Sequence, residues 1–595
     1  MLKIPTKTSA QPLKIMLMIK FTLIFILIKS NGCIASGLGS QLDYDLLLAG
    51  GALRTCSSMS LRNCRVSDFS ENKKQALLYQ FSSENAERFL ELGKSLSVDN
   101  KQLMQLHSTL LKSYAGKKDK RLARSDFFDA LISYGLTDEF IRKLADPLYF
   151  AVLDTHEATQ IDSNGLRKQE QANVGWTNSE ATQDIYQTFV DLAKHRVKGN
   201  GRPRIAVVTA SSRDPFESAD FYLSVFDSLG ADVVWLPLDA TYQKARFIEL
   251  MGGNGCQRIA EIRKEFNSFE RERIYPLRTA LQLQYCQQPE LLRDLLANVQ
   301  GVFFNGGDQS RTLAALTNPL GRGSVELALI KQQLGAKQLV VGGTSAGTAV
   351  QSGGYFAGAP VPMISSGQSD SAMQNGAFPV AVASERCTSN CQQSLNADAL
   401  TYKPQGGTGL FSLGILDTHF SERDREARLA VLAAESGQRY AFGVDETTAL
   451  LVGYGESEIQ LRVIGQNGVF MIDRAGSQYT VSESEDYTHS RRQFNGLANY
   501  LPTGTTARFE QQRWQFLFAD DQITSRKKLN KLDHGVWRDK IRQWCNADKM
   551  IQWDHKSYVV ALHADSNSKF FVSDGDEDRH CGYTGLPFLL NSSEP

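Results

Sequence analysis

The chain is 595 residues long, 42% hydrophobic and 22% charged, and its 65 basic and 65 acidic residues balance to a net charge of zero. Such a composition belongs to an ordinary globular protein with ample core material, about two to four domains on the usual length scale. A neutral chain sets up no global field of the kind that draws nucleic acid, and no repeat of about 20 to 50 residues is visible.

The N-terminus reads as a targeting segment. Lys14 and Lys20 flank or interrupt the apolar run IMLMIKFTLIFILI, and small residues follow it. This predicts a secretory signal over residues 1–35, cut after Ala35. The run is too short and too broken by Lys20 for a membrane span, so no stable span is expected after cleavage. Lipid attachment at Cys33 is the alternative, in a poor context of Ser30, Asn31 and Gly32. The expected location is secreted or periplasmic. The eight remaining cysteines agree with export and pair most simply with sequence neighbours: Cys56 with Cys64, Cys256 with Cys286, Cys387 with Cys391, and Cys545 with Cys581. No CxxC pair has matching partners for zinc.

YDLLLAGGAL (44–53) is an apolar run ending in Gly-Gly, as a first buried parallel strand would, and residues 44–56 are assigned to it. Residues 57–200 carry helical spacing in ENKKQALLYQFSSENAERFLELGKSL and SDFFDALISYGL and read as a mostly helical insertion or cap. The basic run KKDKRLAR (117–124) reads as a solvated helix face. From RIAVVTASS (204–212) an α/β rhythm sets in: DFYLSVFDSLGA helical, DVVWLPL extended, PELLRDLLANV helical, GVFFNGG extended, GSVELALIKQQLGA helical, QLVVGG extended. Strands alternating with such helices imply βαβ units and a parallel sheet. AFGVDETTALLV, IQLRVIG and GVFMID read as strands closing that core. The catalytic α/β region is placed at 201–478, and residues 479–595 are read as an extension of unknown role. The acidic run DGDED (574–578) lacks calcium-loop spacing and reads as a solvated loop.

The chemistry concentrates at four strand ends. VVGGTSAGTAV (340–350) has the G-x-S-x-G pattern of a nucleophile elbow, with Ser345 as the attacking group. A serine hydroxyl needs a base, and the base an orienting acid. His419 follows the apolar segment GILDT, where an open sheet places its site. Glu446 follows another apolar run and is the candidate acid, with Asp445 the competitor. At GVFFNGGDQSR (301–311), Gly306 and Gly307 let backbone N–H groups approach an oxyanion, with the Ala346 N–H as a second donor. Gln309 is placed to hydrogen-bond substrate. Each feature alone has an ordinary explanation: a turn, a cap, a chance motif. Their succession at strand ends is what points to a site. The order Ser, His, Glu differs from the Ser, acid, His order of α/β-hydrolases.

FFNGGDQSR, GGTSAGTAV, DTHFSERDREARL and GVDETTALLV, in that order, resemble the cyanophycinase branch of the S51 serine peptidases. The resemblance covers about residues 44–53 and 204–475. It implies a flavodoxin-like, class I amidotransferase-like α/β core and a Ser345–His419–Glu446 triad that needs no metal or organic cofactor. It also implies cleavage of cyanophycin, an aspartate backbone carrying arginine on its side chains, into β-Asp-Arg dipeptides. Arg423, Arg425 and Arg428 match the family's cationic row, and Asp417 the acid before the histidine. Physically, arginine can fork onto a carboxylate and an acid can hold an arginyl side chain. The row also reads as a solvated helix face with internal ion pairs. Thr418 departs from the glutamine usual in this branch, which puts specificity in doubt. A peptide or polymer rich in Asp and Arg is therefore the expected partner, with homodimerisation left open. Three rivals stand beside this reading: another S51-type aspartyl-peptide hydrolase, an esterase using a late histidine such as His534 or His555, and a binding protein with a degenerate site.

Overall fold

The structure, a computed structural model, describes residues 43–117, 120–380, 395–483, 490–518, 535–545, 550–573 and 580–593. The expected signal segment, Cys33, the Cys387–Cys391 pair, His534 and the DGDED run lie outside the described residues. Among the described residues, no helix is long and apolar enough to cross a membrane.

Two large sheets organise the chain. The first has nine strands. Asp232–Trp235, Arg204–Val208, Gly301–Phe304, Val340–Thr344 and Leu46–Ala49 run parallel, in that spatial order. Thr448–Tyr454 pairs antiparallel with Leu46–Ala49, and Ile459–Gly465, Thr506–Glu510 and Arg513–Leu517 continue the sheet antiparallel. The parallel strands are almost wholly apolar because helices cover them. Leu46, Leu48, Val302, Phe304 and Val341 are fully buried in one core cluster with residues of these helices. The fold is thus mixed α/β with a large sheet that is parallel through its middle.

The second sheet was not foreseen. Ile415–Thr418 pairs parallel with Tyr440–Val444, which pairs antiparallel with Gly468–Glu483. Ser490–Pro502, His580–Ser592, Tyr558–His563 and Met550–His555 follow, with Lys569–Ser573 also on His580–Ser592. AFGVDETTALLV is therefore two strands in two different sheets, joined by a turn at Asp445–Thr447. The expectation that it closes a single core is corrected: Val444 and Thr448 sit in strands with different neighbours. The Gly468–Glu483 strand runs without interruption across residue 479, where the sequence suggested an extension to begin.

Residues 57–200 are mostly helical, with Ser83–Lys94, Asn100–Lys117, Arg124–Ser133 and Asp146–His156 sharing a core around Phe81, Phe89, Leu106 and Phe127. The Glu180–His195 helix does something else. Its Phe189 ring lies 5.2 Å from Phe303, against the middle of the nine-stranded sheet. The basic run is not one helix face: Arg121–Leu122 pairs as a short strand with Tyr79–Gln80, and Arg124 lies 5.5 Å over the Tyr149 ring. Residues 118–119 lie outside the described residues. Cys56–Cys64, Cys256–Cys286 and Cys545–Cys581 are paired, with Cα separations of 4.5, 5.6 and 5.8 Å that suit disulfides.

Candidate active site

The site forms where the two sheets meet. Ser345 follows the Val340–Thr344 strand and precedes the short Ala346–Ala349 helix, with φ +53° and ψ −116°. A residue with a Cβ tolerates such a conformation only when its surroundings over-determine it, at a cost of roughly 1–3 kcal/mol. Backbone contacts do so here. The Ser345 N–H donates to the Ala49 carbonyl at 3.0 Å, and its own carbonyl accepts from Thr348 and Ala349 at 2.9 Å each. The hydroxyl is thereby held out from the turn.

His419 follows the Ile415–Thr418 strand of the other sheet with φ +47°. Its N–H donates to the Gly50 carbonyl at 2.8 Å, and the Thr447 N–H donates to the Gly51 carbonyl at 2.9 Å. Gly51 itself has φ +116°, and a Cβ there would lie 2.4 Å from the imidazole. Only glycine fits that position. The end of the first strand thus clasps both the histidine and the turn that carries Glu446. The Gly-Gly doublet was visible in the sequence; its role was not, because strand adjacency is not a local property.

Three side chains meet in line. His419 Nε2 lies 2.8 Å from Ser345 Oγ, and His419 Nδ1 lies 2.7 Å from Glu446 Oε1. A hydroxyl, an imidazole and a carboxylate so spaced can pass a proton from the hydroxyl to the ring, with the carboxylate fixing the tautomer and steadying the imidazolium. Burial holds the His419 ring below its ordinary value, against the Glu446 hydrogen bond, while Arg423 and Arg425 push it further down. Glu446 is held below the usual carboxylate range by its hydrogen bond with His419, helped by Arg423 and Arg54.

The competitor for the acid position is occupied elsewhere. Asp445 is fully buried and accepts from the Ser421 N–H at 3.0 Å, Tyr500 Oη at 2.7 Å and Arg538 Nη1 at 2.9 Å. His555 packs beside Tyr558, ring centroids 5.0 Å apart. The nitrogen facing Ser345 belongs to His419.

Beside the serine, an ideal Cβ on Gly306 would lie 3.4 Å from the Ser345 Cβ, and the Gly306 backbone bonds Tyr222. Gly307 has φ +143° and approaches Ser211 so closely that a Cβ would lie 2.3 Å from its carbonyl oxygen. Ala346 opens the short helix after Ser345.

The expected substrate contacts divide. Gln309 Nε2 donates to the carbonyls of Ile364 and Ser365 at 2.8 and 2.9 Å, pinning a neighbouring strand. Asp417 and Arg428, 2% and 3% exposed, form a buried bidentate pair through Nε at 2.8 Å and Nη2 at 2.5 Å. Arg425 Nη1 donates to the Thr418 carbonyl at 2.5 Å and reaches Asp417 at 3.3 Å. Thr418 is buried too. These contacts tie Gln309 Nε2, Arg425 Nη1 and the Asp417–Arg428 pair to partners within the fold, away from the role expected of them toward a substrate. A buried pair satisfied on both sides has little to offer a ligand. Burial alone would raise Asp417, but Arg428 and Arg425 outweigh it and hold the carboxyl low. Arg423 is the exposed member of the row, on the Ser421–Arg423 turn next to the histidine.

No protein-family model matches the chain. The cyanophycinase of Trichormus variabilis is 25% identical over 290 residues, 49% of this chain and 68% of that protein. The cyanophycinase of Geminocystis herdmanii is 22% identical over 277 residues, 46% and 71% of the two chains. The chain is similar to cyanophycinases. The cyanophycinase of Synechococcus elongatus matches a shorter stretch, 28% identical over 195 residues, 33% of this chain and 48% of that one. Among solved structures, a peptidase from an acI-B1 Actinobacterium overlaps 51% of this chain and 88% of its own at 16% identity, with a TM-score of 0.28. Among the described residues, no group of three or more His, Cys, Asp or Glu side chains could hold a metal ion.

Proposed function

We propose that this cyanophycinase-like chain is an exported serine-type peptidase with a flavodoxin-like catalytic core, and that it hydrolyses β-linked aspartyl peptides, cyanophycin first among them. The observation that carries the reading is the Ser345–His419–Glu446 line, with hydrogen-bonding distances of 2.8 and 2.7 Å. Ser345 Oγ attacks the scissile carbonyl while His419 Nε2 takes its proton. The N–H groups of Gly307 and Ala346 hold the oxyanion. The imidazolium then protonates the leaving amine, and an acyl-enzyme remains on Ser345. Water, deprotonated by His419, releases the acid and restores the hydroxyl. Glu446 stays ionised throughout and stabilises the imidazolium. Arg423 lies exposed beside the relay and is the group available to fork onto a substrate carboxylate.

The test is dipeptide release from purified cyanophycin, with a Ser345→Ala control and fluorophosphonate labelling of both proteins. Release that disappears in the variant supports triad and substrate together. Labelling of Ser345 without release keeps the hydrolase and moves the substrate to another aspartyl peptide. That second reading has its own support in the committed Asp417–Arg428 pair and in Thr418. Neither release nor labelling sinks the proposal.

A further inference from the structure

The carboxylate of Glu446 works only if its turn is held still. A displacement of about 1 Å in a reacting constellation can cost on the order of a hundredfold in rate. The turn is also strained, since Thr447 has φ +53°. Both backbone groups of Glu446 are anchored by side chains. Its N–H donates to Glu422 Oε2 at 2.9 Å, and its carbonyl accepts from Asn467 Nδ2 at 3.2 Å.

Each anchor is in turn held by one helix, Val536–Trp544, near the C-terminal end of the chain. Arg538 Nη1 donates to Glu422 Oε1 and also to Asp445 Oδ2 at 2.9 Å. Arg542 Nη2 donates to Asn467 Oδ1 at 3.4 Å. The helix is itself fixed at both ends. The N–H groups of Gly535 and Val536 donate to Asp424 Oδ1 at 3.1 and 2.9 Å, in the loop just after His419. Cys545, which follows its last turn, is paired with Cys581. Between them Trp537 packs edge-on against Phe470 and Phe588, with centroids 5.3 and 5.4 Å away.

We propose that Arg538 and Arg542 are positioning residues for Glu446, aiming its carboxylate at His419 through Glu422 and Asn467. The inference rests on the Ser345–His419–Glu446 reading of the site. Arg538 is shared by two neighbouring carboxylates, the buried Asp445 and the half-buried Glu422. Without the guanidinium they repel each other, and one must take up a proton or move. Burial and the Asp445 charge already push Glu422 up to about 7. A protonated Glu422 loses one of its acceptor positions, and with it part of the hold on the Glu446 turn.

The experiment uses the full chain and measures the rate of Ser345 labelling by a fluorophosphonate against pH, together with thermal unfolding. Arg538→Met should lower the rate about 10- to 100-fold, with Arg538→Lys recovering part of the loss. The acid limb of the profile should move to lower pH. His419 faces Glu446, Arg423 and Arg425, and a misplaced Glu446 no longer raises the ring against the two cations. A general loss of stability would not move that limb. Adding Glu422→Gln to Arg538→Met should cost far less than the product of the two single losses, because both act through one contact. An unchanged rate and limb in Arg538→Met, or losses that multiply, overturns the proposal. Should Arg538→Met fail to fold, Arg542→Met decides: a slower rate with the same limb shift supports it, and a wild-type profile overturns it. If the wild-type chain is labelled no faster than Ser345→Ala, the site reading falls first and this proposal with it.

Discussion

Ser345 and Glu446 are held in different ways by the two sheets. Around Ser345 the partners are backbone groups: the Ala49 carbonyl before it and the Thr348 and Ala349 amides after it. Around Glu446 they are side chains from distant parts of the chain, with Glu422, Asn467 and Arg538 as intermediaries. Backbone contacts survive most substitutions and do not titrate. A framework of buried charges is sensitive to both, because each partner removed leaves an uncompensated group behind. The seat of Ser345 should therefore be robust, and the seat of Glu446 the part that mutation and pH can shift.

The comparison can be broken most sharply at the reacting groups. Ser345→Ala should abolish turnover, by at least ~10⁴-fold, while leaving the unfolding midpoint close to wild type, since backbone bonds hold the elbow and the hydroxyl bonds only outward to His419. A large fall in stability would show that the seat depends on the side chain after all. Glu446→Gln should cost about 10³–10⁴-fold in kcat by presenting the wrong donor to His419. It should also move the acid limb of kcat/KM lower, because the carboxylate is what raises the ring.

Asp445→Asn sharpens the contrast between neighbours. It removes a charge from the buried Arg538–Tyr500 network and should destabilise the fold by about 3–5 kcal/mol in urea unfolding. Its effect on kcat should be much smaller than that of Glu446→Gln. The reverse ranking would make Asp445 the working acid. Arg423→Gln should give the smallest effect. Arg423 lowers His419, so its loss should move the acid limb toward higher pH without reaching the rate losses above, and a pH–rate profile reads the direction.

Much of the site was visible along the chain. The apolar strand running into Gly-Thr-Ser-Ala-Gly is a local pattern, and the structure puts a strand, a strained serine and a helix on it. The α/β alternation from residue 204 to 344 maps strand by strand onto the parallel half of the nine-stranded sheet. The arginine row divides because sequence spacing records which residues share a helix face, not which partner each one meets. Arg428 meets Asp417 in the interior, while Arg423, five residues earlier, stays in solvent.

The residue types of the Ser345–His419–Glu446 line and the strands that carry them were determined by the sequence alone, since both are written in short-range patterns of polarity and glycine. The division of labour between Asp445 and Glu446 was decided only by the tertiary structure. The two lie next to each other on one turn, so no periodicity separates them. What separates them is Tyr500 and Arg538, 55 and 93 residues from Asp445 along the chain, which draw one carboxylate into the core and leave the other facing His419. Long-range packing makes that choice because a buried charge must find its partner wherever the fold brings one.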